Sequence, residues 1–318
     1  MWDKSLSDLS YEACFGAIEN AGVKPEDIDA IFVANKGAGL AENQLHLGAL
    51  VSQFFKHNPP AMRVEGACAS GGLALVSAET SLRAGKYETV LVLGVEKMTD
   101  VDSSDMTRIL SAAADSVTER GSTFPGLYAM LAGAHMKEFG TTRNQLSAVA
   151  KKNHHHAFDN PHAQYHKEFS IEQINRSALV ADPLRLLDCS PISDGAAAVI
   201  LTTKQVSDKP YISGSGHAQD SLDLAGRASL LELKATKEAA KQAYGQAKLK
   251  PQDIELAEVH DCFTIAEILA SEDLGFVEKG QGGKAVEHGE TSHGGKIVIN
   301  PSGGLKASGH PVGATGVK

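Results

Sequence analysis

The chain has 318 residues, of which 42% are hydrophobic and 22% charged, a composition typical of a globular protein large enough for two cores and not of a disordered one. Its 30 basic and 39 acidic residues give a net charge of -9, which argues against a broad nucleic-acid-binding surface. No apolar run approaches the length of a membrane span, and the first residues lead into a helical pattern and not a signal peptide.

The first hundred residues alternate between helical and strand patterns. Helices are expected over 5–21 and 45–55 and after Cys68 as far as Gly85, with strands over 28–33, 61–64 and 89–95. The run from Thr89 to Val95 is apolar throughout, as in a strand of a parallel sheet that is covered on both faces. This alternation predicts the α/β class.

The middle of the chain, about residues 100–188, interrupts this alternation. It contains helical patches over 127–139 and 145–156 and little strand pattern, so we expect an excursion that covers the functional site and determines ligand specificity. A further buried strand is expected over 196–201.

The excursion includes three consecutive histidines, His154, His155 and His156. Metal binding is a weak hypothesis for them, because adjacent residues on a helix point in different directions. Lys151 and Lys152 could contact a phosphate group, but a solvated helix face is the favoured interpretation.

A repeat relates the two ends of the chain. Residues 17–33 align without gaps with residues 243–259, with alanine, lysine, proline, aspartate, isoleucine and valine at matching positions. We infer a duplicated α/β half, with residues 210–216 as the first strand of the second copy. The alignment also predicts truncation at both ends: roughly twenty residues are missing at the front, and a helix and two strands at the back.

The four cysteines, Cys14, Cys68, Cys189 and Cys262, stand far apart without a CxxC pair. This spacing indicates neither a zinc cluster nor a disulfide framework and favours a reducing, cytoplasmic compartment. Cys14 and Cys189 are expected to be structural, since neither follows a predicted strand that also ends in another polar group.

Cys68 lies in a small-residue turn between a strand and a helix. Backbone amides and the helix dipole at a helix start favour the thiolate, so we expect a nucleophile with a lowered pKa. The alternative is a buried structural cysteine.

His260 and Cys262 follow a strand predicted over 254–259, and His310 follows one predicted over 297–299 through a glycine-rich segment. Ligands of open α/β sheets gather beyond the carboxyl ends of strands. Two imidazoles and a second thiol around Cys68 would suit thiolate catalysis, with one imidazole taking the thiol proton and the other groups moving a substrate proton. A surface position for His310 is the alternative.

Five short motifs are spread over essentially the whole chain: Cys68-Ala-Ser70, Gly94-Val-Glu-Lys-Met98, Ser193-Asp-Gly-Ala-Ala-Ala198, His260-Asp-Cys-Phe263, and Gly303-Gly304 leading to Gly309-His310-Pro311. Together these motifs resemble those of the thiolase family. The His-Asp-Cys-Phe version is similar to the branch that contains the sterol carrier protein type thiolases and the archaeal and bacterial acetyl-CoA acetyltransferases.

The resemblance implies a duplicated α/β thiolase-like fold with two mixed sheets in a layered α-β-α-β-α arrangement. Residues 1–204 would form the N-terminal half, with the helical loop domain inserted at about 100–188, and residues 205–318 the C-terminal half. Family members are usually dimers or tetramers, so a homodimer or homotetramer is implied, with a small zinc-ribbon and OB-fold accessory protein in some relatives.

The resemblance also implies an acyl-CoA thiolase. Cys68 would be acylated by an acyl-CoA, or would attack the 3-keto carbon of a 3-ketoacyl-CoA in the degradative direction. His310 would activate Cys68 and share an oxyanion hole with His260, and Cys262 would be the acid and base for the α-proton.

Four further residues are expected to contact substrate on the same grounds: Phe263, Ser302, Gly303 and Gly304. Coenzyme A and acyl-CoA would be substrates, with their phosphates and pantetheine against the excursion. Neither a permanently bound cofactor nor a metal is implied.

The chain departs from the family pattern because it ends before the C-terminal loop, often Cys-x-Gly, that supplies an oxyanion-hole amide. The first strand, which would be central in the N-terminal sheet of the family fold, is also absent. We therefore expect this chain to be poorly active or inactive. A ketoacyl-synthase-like condensing enzyme and a steroid side-chain retro-aldolase are alternatives, but Cys262 argues against the first and Cys68 against the second. A catalytically impaired thiolase-like scaffold subunit is the nonenzymatic alternative.

Overall fold

The computed structural model describes residues 2–318 and contains helices and strands along most of this range. The helices are α1 Leu6–Ala21, α2 Ala38–Ala41, α3 Leu47–Ser52, α4 Ser70–Arg83, α5 Ser103–Ser111, α6 Phe124–Phe139, α7 Arg143–His156, α8 Ile171–Arg176, α9 Lys234–Ala247, α10 Thr264–Asp273, α11 Gly282–Glu287 and α12 Gly304–Ser308. The strands are β1 Ala30–Ala34, β2 Ala61–Val64, β3 Thr89–Glu96, β4 Leu179–Ala181, β5 Leu184–Arg185, β6 Gly195–Thr202, β7 Leu256–Ala257 and β8 Val298–Ile299.

The predicted limits of the first helix are confirmed by its capping groups. The Ser5 hydroxyl accepts a hydrogen bond from the Asp8 amide at 3.1 Å, and the Asp8 carboxylate accepts one from the Ser5 amide at 2.9 Å. This reciprocal pair satisfies two amides at the start of α1. Gly22 ends the helix in the left-handed conformation, with φ at 68°.

A mixed sheet in the order β2-β1-β3-β6 forms the centre of the first of two compact units. Strand β1 is parallel to β2 and β3, and β6 is antiparallel to β3. We expected β6 to be buried, but its side chains are mostly half-buried. The reason is its position at the edge of the sheet, next to β3 alone.

Both faces of this sheet are covered, as the apolar strand sequences predict. In β1, Ile31 and Val33 belong to a core that includes residues of α1 and α3. Ala30, Phe32 and Ala34 belong to another core that includes residues of α4. Because successive side chains of a strand point to opposite faces, a strand buried on both faces must be apolar at every position.

The second compact unit comprises Ala114–Pro191 and Ile212–Gly309. Its core is mainly helical and includes residues of α6, α7 and α10. Strands β7 and β8 pair in parallel, with Leu256 opposite Val298. The short antiparallel pair β4–β5 within the excursion was not anticipated, because strands of three and two residues leave almost no sequence pattern.

The expected strand over 210–216 is wrong, since this segment has no regular secondary structure. The side chains of Gln246 and Gln242 on α9 accept hydrogen bonds from the amides of Ser215 and His217. A Cβ at Gly216 would lie 1.9 Å from the Ala239 carbonyl oxygen. The segment therefore follows the helix surface, and no strand among residues 2–318 pairs with it.

The repeat is confirmed at the level of local structure. Helix α1 ends at Gly22 and α9 at Lys248, both in the left-handed conformation. Each is followed by a 3₁₀ turn that starts at a proline, Pro25–Asp27 and Pro251–Asp253, and then by a strand.

The compact units are discontinuous in sequence: the first extends up to Ala113 and resumes at Ile192–Tyr211 and His310–Lys318. The boundary between residues 204 and 205 concerns the repeat halves and remains a prediction. Among residues 2–318, no helix is long and apolar enough to cross a membrane.

Candidate active site

Cys68 lies in a tightly constrained turn in the first unit. The turn follows β2 as a 3₁₀ segment, Ala67–Ala69, and continues into α4 at Ser70. The Ser70 hydroxyl donates to the Ala67 carbonyl at 2.7 Å and accepts from the Gly66 amide at 3.0 Å. Ala67 has φ at 51°, a conformation that costs a non-glycine residue on the order of 1–3 kcal/mol. The predicted position of Cys68 at a helix start is confirmed.

The expected lowering of the Cys68 pKa is wrong. The thiol is half-buried beside an apolar cluster that includes Met98, Met106 and Val312. Burial raises the pKa of Cys68 to about 11, the nearby Lys36 ammonium opposes the rise, and the Glu96 carboxylate adds to it. The protein at neutral pH therefore holds a thiol, and a nucleophilic reaction needs a base.

His310 supplies an imidazole next to this thiol. A ring nitrogen of His310 and the Cys68 sulfur lie within 4.8 Å of each other. The Thr315 hydroxyl donates to the Pro311 carbonyl at 3.0 Å and lies 2.7 Å from His310 Nδ1. Since that hydroxyl has one proton, Nδ1 must donate to it, and Nε2 then has the lone pair of a general base.

His310 is buried, so the alternative of a surface histidine is wrong. We expected it at a strand end, but it follows helix α12, and its backbone amide donates to the Ser193 hydroxyl at 2.9 Å. The sequence suggested a strand end because β8 was the last strand pattern before it, and a five-residue helix gives little periodicity.

The turn after His310 is held by a buried carboxylate that we did not anticipate. Glu96, the last residue of β3, accepts the amide of Gly313 at 2.8 Å, that of Gly37 at 2.8 Å and that of Lys36 at 3.0 Å. A Cβ at Gly313 would lie 2.6 Å from the Val95 carbonyl oxygen, so the turn lies directly against the strand backbone. A charged residue that ends an apolar strand was the sequence signal for Glu96.

The second unit contains the other predicted catalytic pair, His260 and Cys262, in the turn that joins β7 to α10. His260 is half-buried, and burial lowers its pKa to about 4. It is therefore a neutral imidazole at pH 7, which can donate one N–H hydrogen bond to an oxygen. Cys262 is buried, and its carbonyl accepts the Ser190 amide at 2.9 Å.

The four residues expected to contact substrate have structural partners in the second unit. The Phe263 ring stacks on Tyr128 with centroids 4.6 Å apart. The Ser302 hydroxyl donates to Glu258 at 2.9 Å. Gly303 and Gly304 have φ of 98° and 58°, so the turn needs glycine irrespective of any ligand. Their contact with substrate remains a prediction.

Asp261, between His260 and Cys262, was not singled out from the sequence. It is fully buried and accepts the amides of Leu305 at 2.6 Å and Lys306 at 3.2 Å. Burial, together with the nearby carboxylate of Glu267, raises the pKa of Asp261. Its position between His260 and Cys262 was the only feature of the sequence that could have indicated a functional role for Asp261.

The three consecutive histidines have separate partners. His154 lies against Phe169 with ring centroids 4.8 Å apart, His155 interacts with the Glu168 carboxylate, and His156 Nδ1 lies 3.0 Å from the Asn300 carbonyl oxygen. They do not converge on one point, as the helical spacing predicts.

Both lysines were expected on a solvated helix face. This prediction is confirmed for Lys151, which is exposed, and wrong for Lys152. Lys152 is buried and forms an ion pair with Glu267 at 2.6 Å.

The structural role predicted for two cysteines has partial support. Cys14, on α1, is fully buried in the core, where burial raises its pKa to about 12. Cys189 is half-buried, and its thiol donates to the Arg185 carbonyl at 3.3 Å.

Comparison with known families assigns both halves of the sequence. Residues 1–205 match the family model for the thiolase N-terminal domain, and residues 216–318 match that for the thiolase C-terminal domain. The chain belongs to the thiolase family. The expected family and α/β thiolase fold are thus confirmed.

Two curated relatives illustrate where this thiolase falls within the family. It is 51% identical to an acetyl-CoA acetyltransferase of Methanothermobacter thermautotrophicus, over 100% of this chain and 84% of the relative. It is 34% identical to sterol carrier protein 2 of Bos taurus, over 81% of this chain and 51% of the relative.

Among solved structures, this thiolase resembles the Ltp2-ChsH2(DUF35) aldolase with a TM-score of 0.82 and 25% identity. The likeness covers 98% of this chain and 83% of that chain.

Proposed function

We propose that this thiolase transfers acyl groups between coenzyme A thioesters and makes or cleaves 3-ketoacyl-CoA through an acyl-enzyme on Cys68. The observation that supports this most directly is the proximity of the Cys68 sulfur to a ring nitrogen of His310, within 4.8 Å. A thiol whose pKa burial raises to about 11 needs a neighbouring base, and the tautomer imposed by Thr315 makes Nε2 of His310 that base.

In the acylation step, His310 takes the proton of Cys68 as the sulfur attacks the thioester carbonyl of an acyl-CoA. The carbon–sulfur bond to coenzyme A then breaks, and the departing thiolate takes the proton from His310. The products are the Cys68 thioester and free coenzyme A.

In the condensation step, Cys262 as a thiolate takes the α-proton of a second acyl-CoA. The resulting carbanion attacks the acyl carbon on Cys68 and expels the Cys68 thiolate. That thiolate then takes the proton from Cys262, which restores the Cys68 thiol and the Cys262 thiolate. His260 would donate a hydrogen bond to the thioester oxygen on which the enolate charge develops, and His310 would share this role only while its Nε2 is protonated, since its Nδ1 proton is donated to Thr315. The neutral state of His260 at pH 7 supports a donor role, and the reverse sequence is thiolytic cleavage.

Substrate contacts at Phe263, Ser302, Gly303 and Gly304 are part of this proposal. Coenzyme A and acyl-CoA are the substrates, and the excursion would receive the phosphates and pantetheine. We further propose a cytoplasmic location and a homodimer or homotetramer, and light scattering on the purified chain would test the oligomeric state. A small zinc-ribbon and OB-fold accessory protein is also proposed, supported by the DUF35 protein named with the aldolase that this chain resembles.

An aldolase is the second candidate, favoured by the TM-score of 0.82 to an aldolase. Acyl transfer is the stronger proposal because identity to an acetyltransferase is 51%, compared with 25% to the aldolase, and because a nucleophilic thiol suits an acyl-enzyme.

Intact-mass spectrometry after mixing with acetyl-CoA tests the proposal. We expect one acetyl group on the wild-type chain and on Cys14→Ala, and none on Cys68→Ala. Absence of the adduct from the wild-type chain would instead support the scaffold. Release of carbon dioxide from malonyl-CoA would support a condensing synthase. Cleavage of a steroid side-chain thioester without added coenzyme A would support an aldolase.

A further inference from the structure

Asp261 makes three hydrogen bonds that join separate parts of the second unit. One carboxylate oxygen accepts the Leu305 amide at 2.6 Å, and the other accepts the Lys306 amide at 3.2 Å and the Asn153 side-chain amide at 2.7 Å. These donors belong to α12 and to α7. A single side chain thus ties the turn that bears His260 and Cys262 to two helices.

The Asp261 carboxylate contacts the backbone of α12 closely. A Cβ at Gly304 would lie 2.3 Å from one Asp261 oxygen and 2.6 Å from the other. The carboxylate therefore lies against the backbone where a side chain would otherwise be. Close contacts of this kind fix both the position and the orientation of the group that makes them.

Asn153 extends the network to a second buried carboxylate. Its amide nitrogen also donates to Glu267 at 2.8 Å, and Glu267 accepts the Asn300 amide nitrogen at 2.8 Å. The Asn300 oxygen in turn accepts the Val259 amide at 2.8 Å. The backbone is thus held immediately before His260 by Asn300 and immediately after it by Asp261.

The two buried carboxylates of this network, Asp261 and Glu267, differ in whether a cation is paired with them. Glu267 forms an ion pair with Lys152, whereas no lysine or arginine among residues 2–318 forms an ion pair with Asp261. The Lys306 ammonium interacts with Asp261 electrostatically but forms no ion pair with it. Burying a carboxylate without a directly paired cation costs stability, so the maintenance of the fold alone does not favour an acid here.

We propose that Asp261 is the positioning residue for proton transfer, orienting His260 and Cys262 through its bonds to α12 and Asn153. This inference rests on the proposed function, because it concerns the roles proposed for His260 and Cys262. Asp261 touches no reacting atom in this scheme and acts through its two neighbours.

The two half-reactions separate this role from a general effect on folding. Acetylation of Cys68 by acetyl-CoA depends on Cys68 and His310, whereas exchange of the acetyl-CoA methyl hydrogens with D2O depends on the proton-transfer groups. In Asp261→Asn, the amide nitrogen would face an N–H donor in either orientation: the Leu305 amide in one, and the Lys306 and Asn153 donors in the other. We expect exchange to fall by about 10–100-fold, as for other outer-shell positioning groups, while acetylation stays within about threefold of wild type.

Glu272→Gln is the matched control, since Glu272 is a buried acid on α10 that accepts the Gly282 amide and pairs with His135. We expect a lower melting temperature in this variant and an unchanged ratio of the two half-reactions. If Asp261→Asn does not fold, Asn153→Ala removes one of the three hydrogen bonds and should lower exchange in the same selective way.

Equal losses in both half-reactions, or exchange as fast as in Glu272→Gln, would overturn the inference and leave the proposed function intact. A wild-type chain that shows neither acetylation nor exchange would overturn both.

Discussion

Several groups around Cys68 have opposing effects on the pKa of its thiol. The start of a helix and the Lys36 ammonium favour the thiolate, whereas burial and the Glu96 carboxylate favour the thiol. Burial is the largest of these effects, because apolar side chains replace the water that would solvate the charge. His310 is therefore a base that the reaction needs in order to form the nucleophile.

The rate of Cys68 alkylation by iodoacetamide is expected to rise about tenfold for each pH unit between pH 7 and pH 9. With a pKa of about 11, roughly one thiol in ten thousand is ionised at pH 7, and that fraction grows with pH. Peptide mapping identifies the labelled site, and Cys14 in the core should remain unlabelled in the folded protein. A rate that is constant below pH 8 would show a preformed thiolate and contradict this account.

At the scale of elements, each unit uses a buried carboxylate to fix a turn that bears a histidine. Glu96 accepts amides around the turn after His310, and Asp261 accepts amides of α12 beside the turn of His260. Glu96 is the last residue of β3 and Asp261 follows β7, so both carboxylates lie where the chain leaves a sheet and backbone amides lack ladder partners. Charged side chains can satisfy such amides without water.

Gly313→Ala should destabilise the protein by about 1–3 kcal/mol or more, because the added methyl group meets backbone atoms of Val95 and Ala34 within 2.7 Å. The displaced turn should also slow acetylation of Cys68. Gly133→Ala is the control, since this helical glycine has nothing within 4 Å, and it should stabilise by up to about 1 kcal/mol. Urea unfolding measures both, and equal effects would exclude the close packing as the cause.

Lys152→Met should destabilise the protein by about 3–5 kcal/mol, because it leaves the buried Glu267 carboxylate without its cation. Lys151→Met, one residue earlier on the exposed side of α7, should change stability by less than about 0.5 kcal/mol. Thermal unfolding of the two variants is the measurement. Similar melting temperatures would mean that the ion pair contributes little.

At the scale of the whole molecule, the two copies of the repeat have different residue types at several corresponding positions. Gly22 and Lys248 both end a helix in the left-handed conformation, although only glycine adopts it at little cost. When the same alignment is extended by two residues, Asn35 corresponds to Asp261, and both are fully buried polar residues that follow a strand. The backbone has been retained more closely than the side chains.

Lys248→Gly should therefore stabilise the protein by about 0.5–1 kcal/mol, since φ at 56° strains a lysine and not a glycine. Lys250→Gly, two residues later with φ at -112°, should be neutral or destabilising because glycine gains only unfolded-state entropy there. Differential scanning calorimetry compares them. A lower melting temperature for Lys248→Gly would show that its side-chain contacts outweigh the strain.

The sequence by itself determined the elements whose residues repeat a periodic pattern, together with the duplication and the family. Helix α1 and strand β3 were predictable because capping groups and continuous apolar runs are local properties of the chain. The position of Cys68 at a helix start was predictable for the same reason.

Only the tertiary structure decided which polar residues are buried and how burial changes their chemistry. The raised pKa of Cys68, the ion pair of Lys152 and the carboxylates of Glu96 and Asp261 all depend on partners distant in sequence. Desolvation is set by every atom that surrounds a group, and residues brought together by folding leave no periodic pattern in the chain.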